Sequence, residues 1–208
     1  MTLALGGNDR MQPLLKLSGL IDGVNERLGK ATTWLVLIVV LISAGNAVMR
    51  YAINWSSNAF LEIQWYLFSA IFLLCAGYTL LKNEHVRIDI VSGHCTAKTR
   101  AWIDVVGIIL FLFPMTYLFI TLGWPFFMMS YSGGEMSANA GGLIRWPVKI
   151  LVPIGFVFLL LQGISELIKR LAFIQDLIPD PTERGGKTAE EELAEEIAKT
   201  AQGVEKND

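Results

Sequence analysis

The stretch Val105–Met129, VVGIILFLFPMTYLFITLGWPFFMM, decides the fold class of this chain. It runs for 25 residues without one Asp, Glu, Lys or Arg. A helix rises about 1.5 Å per residue, so about 20 apolar residues cross the roughly 30 Å hydrocarbon layer of a bilayer. Helix is the expected form, because lipid cannot satisfy free backbone groups and the alternation of a barrel strand is absent. This stretch therefore predicts a transmembrane helix.

Three further windows have the same character, and the four together contain only two charged residues: Ala31–Met49, Ala59–Leu81 with Glu62, and Ile150–Ile168 with Glu166. Of all 208 residues, 53% are hydrophobic and 17% are charged, which argues against a disordered chain. The net charge of −2 offers no basic field for nucleic acid, and the two cysteines make no metal or redox spacing. We predict an all-α, polytopic membrane protein with four transmembrane helices in a domain of residues 31–175.

The basic residues predict the orientation. The segments before, between and after the spans contain four, one, four, two and six Lys and Arg residues, in chain order. Basic residues accumulate on the cytoplasmic side of membrane proteins. Both termini and the middle loop are therefore expected in the cytoplasm.

Two flanking segments lie outside the predicted spans. Residues 1–30 form a cytoplasmic N-terminal segment, in which positions 14, 17, 21, 24 and 28 are apolar and share one helical face. This pattern predicts an interfacial amphipathic helix. Residues 176–208 form an acidic cytoplasmic tail, where Thr188 followed by Glu191 predicts the start of a short helix.

The chain lacks the groups that most catalytic sites need. Its two histidines, His85 and His94, lie in the middle loop rather than in a span, which argues against a haem-carrying anchor. No phosphate-binding loop, nucleophile elbow or zinc-protease motif occurs. We therefore expect no catalytic residue, no metal and no cofactor, and hence no enzyme. The spans also carry few polar groups near their centres, so they are expected to belong to an auxiliary subunit and to contain no substrate site.

Glu62 is the acid that stands out, about one turn inside the outer start of the second span. On a helix it shares a face with Trp65 and Tyr66. One interpretation is a hydrogen bond or ion pair with a partner subunit, and the other is an interfacial carboxylate that reaches lipid headgroups. A buried carboxylate without a partner would be costly. If the chain were instead a self-sufficient homo-oligomeric transporter or channel, Glu62 would be its coupling acid.

Two loops carry further candidates. The middle loop alternates polar and apolar residues from His85 to Ile90, which suits either a partner surface or a plain interfacial connector. The outer loop before the fourth span contains four glycines, and Glu135 and Arg145 could pair across it. This outer loop is either a capping turn or a contact for an external protein.

Several stretches together resemble the small permease subunit of TRAP (tripartite ATP-independent periplasmic) transporters, over roughly residues 15–175. They are LEIQWYLF at 61–68, NEHVRIDI at 83–90, AWID at 101–104 with Phe113-Pro114, EMS at 135–137 and GGLIRWP at 141–147. The AWID, Phe113-Pro114, EMS and GGLIRWP stretches resemble the mannitol/chloroaromatic branch, and GGLIRWP is the more specific to it. Many small permeases carry two adjacent acids in the second span, whereas here Ile63 follows Glu62, so a paired-acid role is not transferred.

The resemblance implies a small subunit in the bacterial inner membrane that scaffolds a large permease. The large permease would carry the sodium and substrate sites, and a periplasmic binding protein would deliver the substrate, usually an organic acid. Candidate interface residues toward the large permease are then Glu62, Trp65, Tyr66, Glu84, His85, Arg87 and Asp89. Candidate docking residues for the binding protein are Glu135, Arg145 and Trp146.

Overall fold

The chain folds into long helices, and a computed structural model describes residues 5–55, 57–83 and 96–181. The elements are α1 (Leu5–Ile53), α2 (Asn58–Lys82), α3 (Ala97–Gly107), a π-helical turn (Ile108–Leu112), α4 (Phe113–Ser132), α5 (Trp146–Lys149) and α6 (Leu151–Ile174). α3, the π turn and α4 form one continuous rod. Four helical stretches are long and apolar enough to cross a membrane, so the predicted all-α, four-span architecture is confirmed.

Local sequence explains several helix ends. The Ser57 hydroxyl accepts a hydrogen bond from the Ala59 N–H at 3.3 Å and caps the start of α2. Asn83 ends the same helix in the left-handed conformation, with φ of 58°. Thr96 caps α3 through the Thr99 N–H at 3.3 Å.

The N-terminal segment differs from the prediction of a separate interfacial helix. α1 continues from Leu5 to Ile53 without a break, across the predicted boundary at residue 30. Its 49 residues would span about 73 Å, more than twice the hydrocarbon layer. The predicted apolar face also points mostly outward, since Leu17 and Val24 are exposed while Ser18 and Asn25 are buried. The reason is that these polar side chains find hydrogen-bonding partners on α6.

Small residues bring the helices together, as is usual in membrane bundles. α6 packs against α1, α2, α3 and α4, so it forms the centre of the described structure. Gly155 of α6 lies against the Leu73 backbone of α2, where an added Cβ would be only 2.8 Å from the Leu73 carbonyl oxygen. Gly29 of α1 lies against the Tyr78 ring in the same way.

Candidate functional site

The outer end of α2 is joined to the outer loop through the Glu62 carboxylate. Glu62 is 1% exposed. Its Oε2 accepts the Leu143 backbone N–H at 2.6 Å, and its Oε1 accepts Asn139 Nδ2 at 2.9 Å and the Ser137 hydroxyl. We call this group of Glu62 with Ser137, Asn139 and Leu143 the outer latch. It satisfies a buried carboxylate with donors from the same chain, a role that the sequence analysis did not include.

The loop itself is shaped to bring these donors together. Ser137 N–H donates to the Leu143 carbonyl at 2.9 Å, and Arg145 N–H donates to the Glu135 carbonyl at 2.9 Å, which forms a small antiparallel pairing. Gly141 turns the chain with φ of 70°. A Cβ on Gly142 would lie 2.5 Å from Ser137 Cβ and 2.9 Å from Glu62 Oε1. Gly141 therefore allows the turn, and Gly142 allows the loop backbone to approach Ser137 and Glu62 closely.

Trp65 and Tyr66 follow Glu62 but have different surroundings. The buried Tyr66 donates its hydroxyl to the Ile144 carbonyl at 3.1 Å, which adds a further bond between α2 and the outer loop. Trp65 is 41% exposed, and the Arg145 guanidinium lies 5.9 Å from its ring centroid. The exposed Trp65 and the half-buried Arg145 therefore form a cation–π pair beside the outer loop.

Glu135 forms its ion pair with Lys149, whereas the sequence analysis considered Arg145 as its partner. The Lys149 ammonium also lies 4.2 Å from the Phe126 ring centroid. The hydrogen bond from Lys149 is the largest cause that lowers the pKa of Glu135 below its ordinary value. Trp146, at the start of α5, packs edge-on against Tyr131 with 5.6 Å between ring centroids. Glu135, Arg145 and Trp146 thus lie around one outer loop.

A second polar group joins α1 to α6 near the other end of the bundle, and the sequence analysis missed it. This α1–α6 polar cluster comprises Ser18, Asp22, Asn25, Gln162, Ser165, Glu166 and Lys169. Asp22 Oδ1 accepts the Gln162 amide at 2.8 Å and the Ser165 hydroxyl at 2.6 Å, and its Oδ2 contacts Lys169 Nζ at 3.1 Å. The available signal was spacing, because three members fall at i, i+4 and i+7 on α1 and four at i, i+3, i+4 and i+7 on α6.

The remaining members complete the cluster. Asn25 Nδ2 donates to Gln162 Oε1 at 2.9 Å, and the Ser18 and Ser165 hydroxyls lie 2.7 Å apart. Lys169 also pairs with Glu166. Gln162 and Ser165 are fully buried, so these hydrogen bonds replace water in the interior. The cluster fixes the N-terminal part of α1 against α6.

Four predicted interface residues, Glu84, His85, Arg87 and Asp89, lie outside the described residues, as does the predicted tail helix. The interface role of Glu62, Trp65 and Tyr66 stays a prediction. In the described part of the chain, no three His, Cys, Asp or Glu side chains come together as metal ligands would. The arrangement there joins helices and shapes an outer surface.

A comparison with known families matches residues 23–173 to the model described as "Tripartite ATP-independent periplasmic transporters, DctQ component". No curated protein and no solved structure shows significant similarity to the chain. The matched region covers the second and third membrane-spanning stretches in full, the first from residue 23 onward, and the last except for Ile174. The chain therefore belongs to the DctQ family, the small subunit of TRAP transporters.

Proposed function

We propose that this chain scaffolds the large permease of a TRAP transporter, and that the complex performs sodium-coupled, binding-protein-dependent uptake of an organic acid. The observation that carries this proposal is the family match over residues 23–173. The chain itself is proposed to be non-enzymatic. The substrate class and the mannitol/chloroaromatic branch rest on sequence resemblance, in AWID at 101–104 with Phe113-Pro114 and in EMS at 135–137 with GGLIRWP at 141–147.

The buried polar groups support a scaffold. Both large polar groups, the outer latch and the α1–α6 polar cluster, are hydrogen-bonded within the chain and hold helices or a loop in place. Much of the surface of the membrane helices is apolar and outward-facing: only 11% of the most apolar window of α1 is buried, and 11% of that of α2. Such surfaces are available to lipid and to a partner helix bundle.

The same observations speak against a self-sufficient transporter that uses Glu62 as its coupling acid. The Glu62 carboxylate is enclosed by three donors of its own outer loop. A coupling acid must exchange protons or ions with a pathway, whereas this carboxylate stabilises a fold. Flux measurements on the purified chain in liposomes distinguish a scaffold from a self-sufficient transporter.

We place the termini and the middle loop in the cytoplasm of a bacterial cell, on the basis of the Lys and Arg distribution. The outer loop then faces the periplasm. There the Trp65–Arg145 pair, in which Trp65 is exposed, offers a surface for the binding protein, with Glu135 and Trp146 beside it. The middle loop with Glu84, His85, Arg87 and Asp89 would contact the large permease.

The test begins with purification in mild detergent from cells that express the whole transporter. We expect the large permease to co-purify with this chain, and we expect deletion of the chain to abolish sodium-driven uptake. Arg87→Glu should weaken co-purification more than Glu205→Lys does. Normal uptake after deletion would contradict the proposal, and so would flux through the purified chain alone in liposomes if Glu62→Gln abolished it.

A further inference from the structure

A cleft of about 440 Å³ lies between α6, the end of α2 and the rod formed by α3, the π turn and α4. Its walls are apolar and include Leu80, Ile108, Phe111 and Met115. Phe111 is 73% exposed, so the cleft opens toward the surroundings of the bundle. At this position the surroundings are the bilayer, because α2, α6 and the rod are all membrane-spanning stretches.

Two contacts along α6 bound the cleft. Toward the membrane centre, Leu112 of the π turn covers Gly163, where an added Cβ would overlap the leucine side chain. Toward the membrane edge, Arg170 Nε lies 3.3 Å from Asp104 Oδ2. These contacts are seven residues apart on α6, or about 10 Å. The part of the cleft between them is therefore about two helical turns long.

The π turn shapes the wall between these contacts. Phe113 N–H donates to the Ile108 carbonyl, five residues earlier, so this turn is wider than an α-helical turn. Ile108, Phe111 and Leu112 of the turn all line the cleft. A Cβ on Gly107, just before the turn, would meet nothing within 4 Å, so the space beside the rod is open there. The wall that the rod contributes to the cleft is therefore apolar and open.

The charged side chains of the cleft begin at Glu166, about half-way along it, and extend to the membrane-edge end. Arg170 and Asp104 form the ion pair there, and Glu166 of the cleft is paired with Lys169. Cationic and anionic side chains are thus present together, with carboxylates in excess, because Arg170 Nη1 also lies 3.8 Å from Asp180 Oδ1 and Lys169 is shared with Asp22. An anionic headgroup would meet the carboxylates, whereas a zwitterionic headgroup complements both signs, with its phosphate toward Arg170 and its ammonium toward Asp104.

We propose that this cleft binds one zwitterionic phospholipid, with an acyl chain along the π turn and the headgroup at Arg170 and Asp104. The lipid would fill the gap between α2 and α4, which contact α6 but are not packed against one another there. The proposal needs only that the chain spans a membrane, so it is independent of sodium coupling and of the organic-acid substrate.

The first test is native mass spectrometry of the full chain, with any subunit that co-purifies, from nanodiscs of phosphatidylethanolamine and phosphatidylglycerol. Gly107→Leu fills the cleft, and Gly45→Leu is the matched control, because an added Cβ at Gly45 also meets nothing within 4 Å. We expect the unmodified chain and Gly45→Leu to retain one phosphatidylethanolamine, and Gly107→Leu to retain at least ten-fold less. Equal retention by the two leucine variants would overturn the proposal, as would equal retention of phosphatidylglycerol by the unmodified chain.

A second test identifies the occupant of the cleft even if Gly107→Leu fails to fold. A photo-crosslinking phenylalanine analogue at the exposed position of Phe111 is activated in membranes that contain the whole transporter. The expected product is this chain carrying the mass of one phospholipid. A covalent product with another protein chain would show that a partner, rather than lipid, occupies the cleft, and would overturn the proposal.

Discussion

The carboxylate of Glu62 accepts the backbone N–H of Leu143 at 2.6 Å, across 81 residues of sequence. This bond joins the outer end of α2 to the loop that precedes α5. Tyr66, one turn further along α2, adds a bond to the carbonyl of the next loop residue, Ile144, at 3.1 Å. The loop backbone is therefore held at two successive residues by one helix, and the Trp65–Arg145 pair is placed by the same two elements.

Glu62→Gln is expected to loosen the outer loop. The amide retains one oxygen, but its NH₂ group faces donors, so at least one of the three hydrogen bonds is lost. Leaving a buried partner unsatisfied costs about 1–3 kcal/mol. Hydrogen exchange of residues 137–143 should accelerate accordingly. Glu26→Gln, which removes a partly exposed acid paired with Lys30 on α1, is the control and should leave that exchange unchanged. Equal exchange in both variants would contradict the latch.

Gly142→Ala is expected to disrupt the outer latch by crowding. The added Cβ would lie 2.5 Å from Ser137 Cβ, and at this distance residue 137 or residue 142 must move. Gly45→Ala, whose Cβ would meet nothing within 4 Å, tests the generic effect of adding a methyl group to a glycine of this protein. We expect a lower thermal midpoint in detergent for Gly142→Ala and no decrease for Gly45→Ala. Similar midpoints would mean that the loop accommodates the methyl group.

The four spans could be predicted because the bilayer imposes a condition along the sequence, namely long windows without charge. The Glu62 latch could not be predicted, because its donors lie 75 to 81 residues away and two of them are ordinary loop side chains. The continuity of α1 was missed for a related reason. The apolar pattern of residues 14–28 favours a separate interfacial helix, whereas the polar side chains of the opposite face bind α6 and decide how the helix packs.

Ser165→Ala is expected to destabilise the contact between α1 and α6. The Ser165 hydroxyl contacts the Ser18 hydroxyl at 2.7 Å and donates to Asp22 Oδ1 at 2.6 Å, and its loss leaves buried partners with fewer bonds. The expected cost is about 1–3 kcal/mol. Ser43→Ala, on an exposed part of α1, removes the same hydroxyl as a matched control. Tryptic cleavage after Lys16 should become faster only in Ser165→Ala, and equal cleavage rates would argue against the cluster as the anchor of α1.

The Glu135–Lys149 ion pair is expected to make the stability of the outer loop depend on pH. The pKa of Glu135 is lowered in the folded protein, first by the hydrogen bond from Lys149, so the folded state binds a proton less readily than the unfolded state does. The stabilisation is therefore complete above the ordinary glutamate pKa of about 4.3 and is lost as the pH falls through the lowered folded value. Thermal midpoints of the unmodified chain and Glu135→Gln should differ at neutral pH and converge in acid. Lys149→Met should show the same loss at neutral pH, because it removes the other partner of the pair. A constant difference between the unmodified chain and Glu135→Gln at every pH would assign the effect to packing rather than to the charge of Glu135.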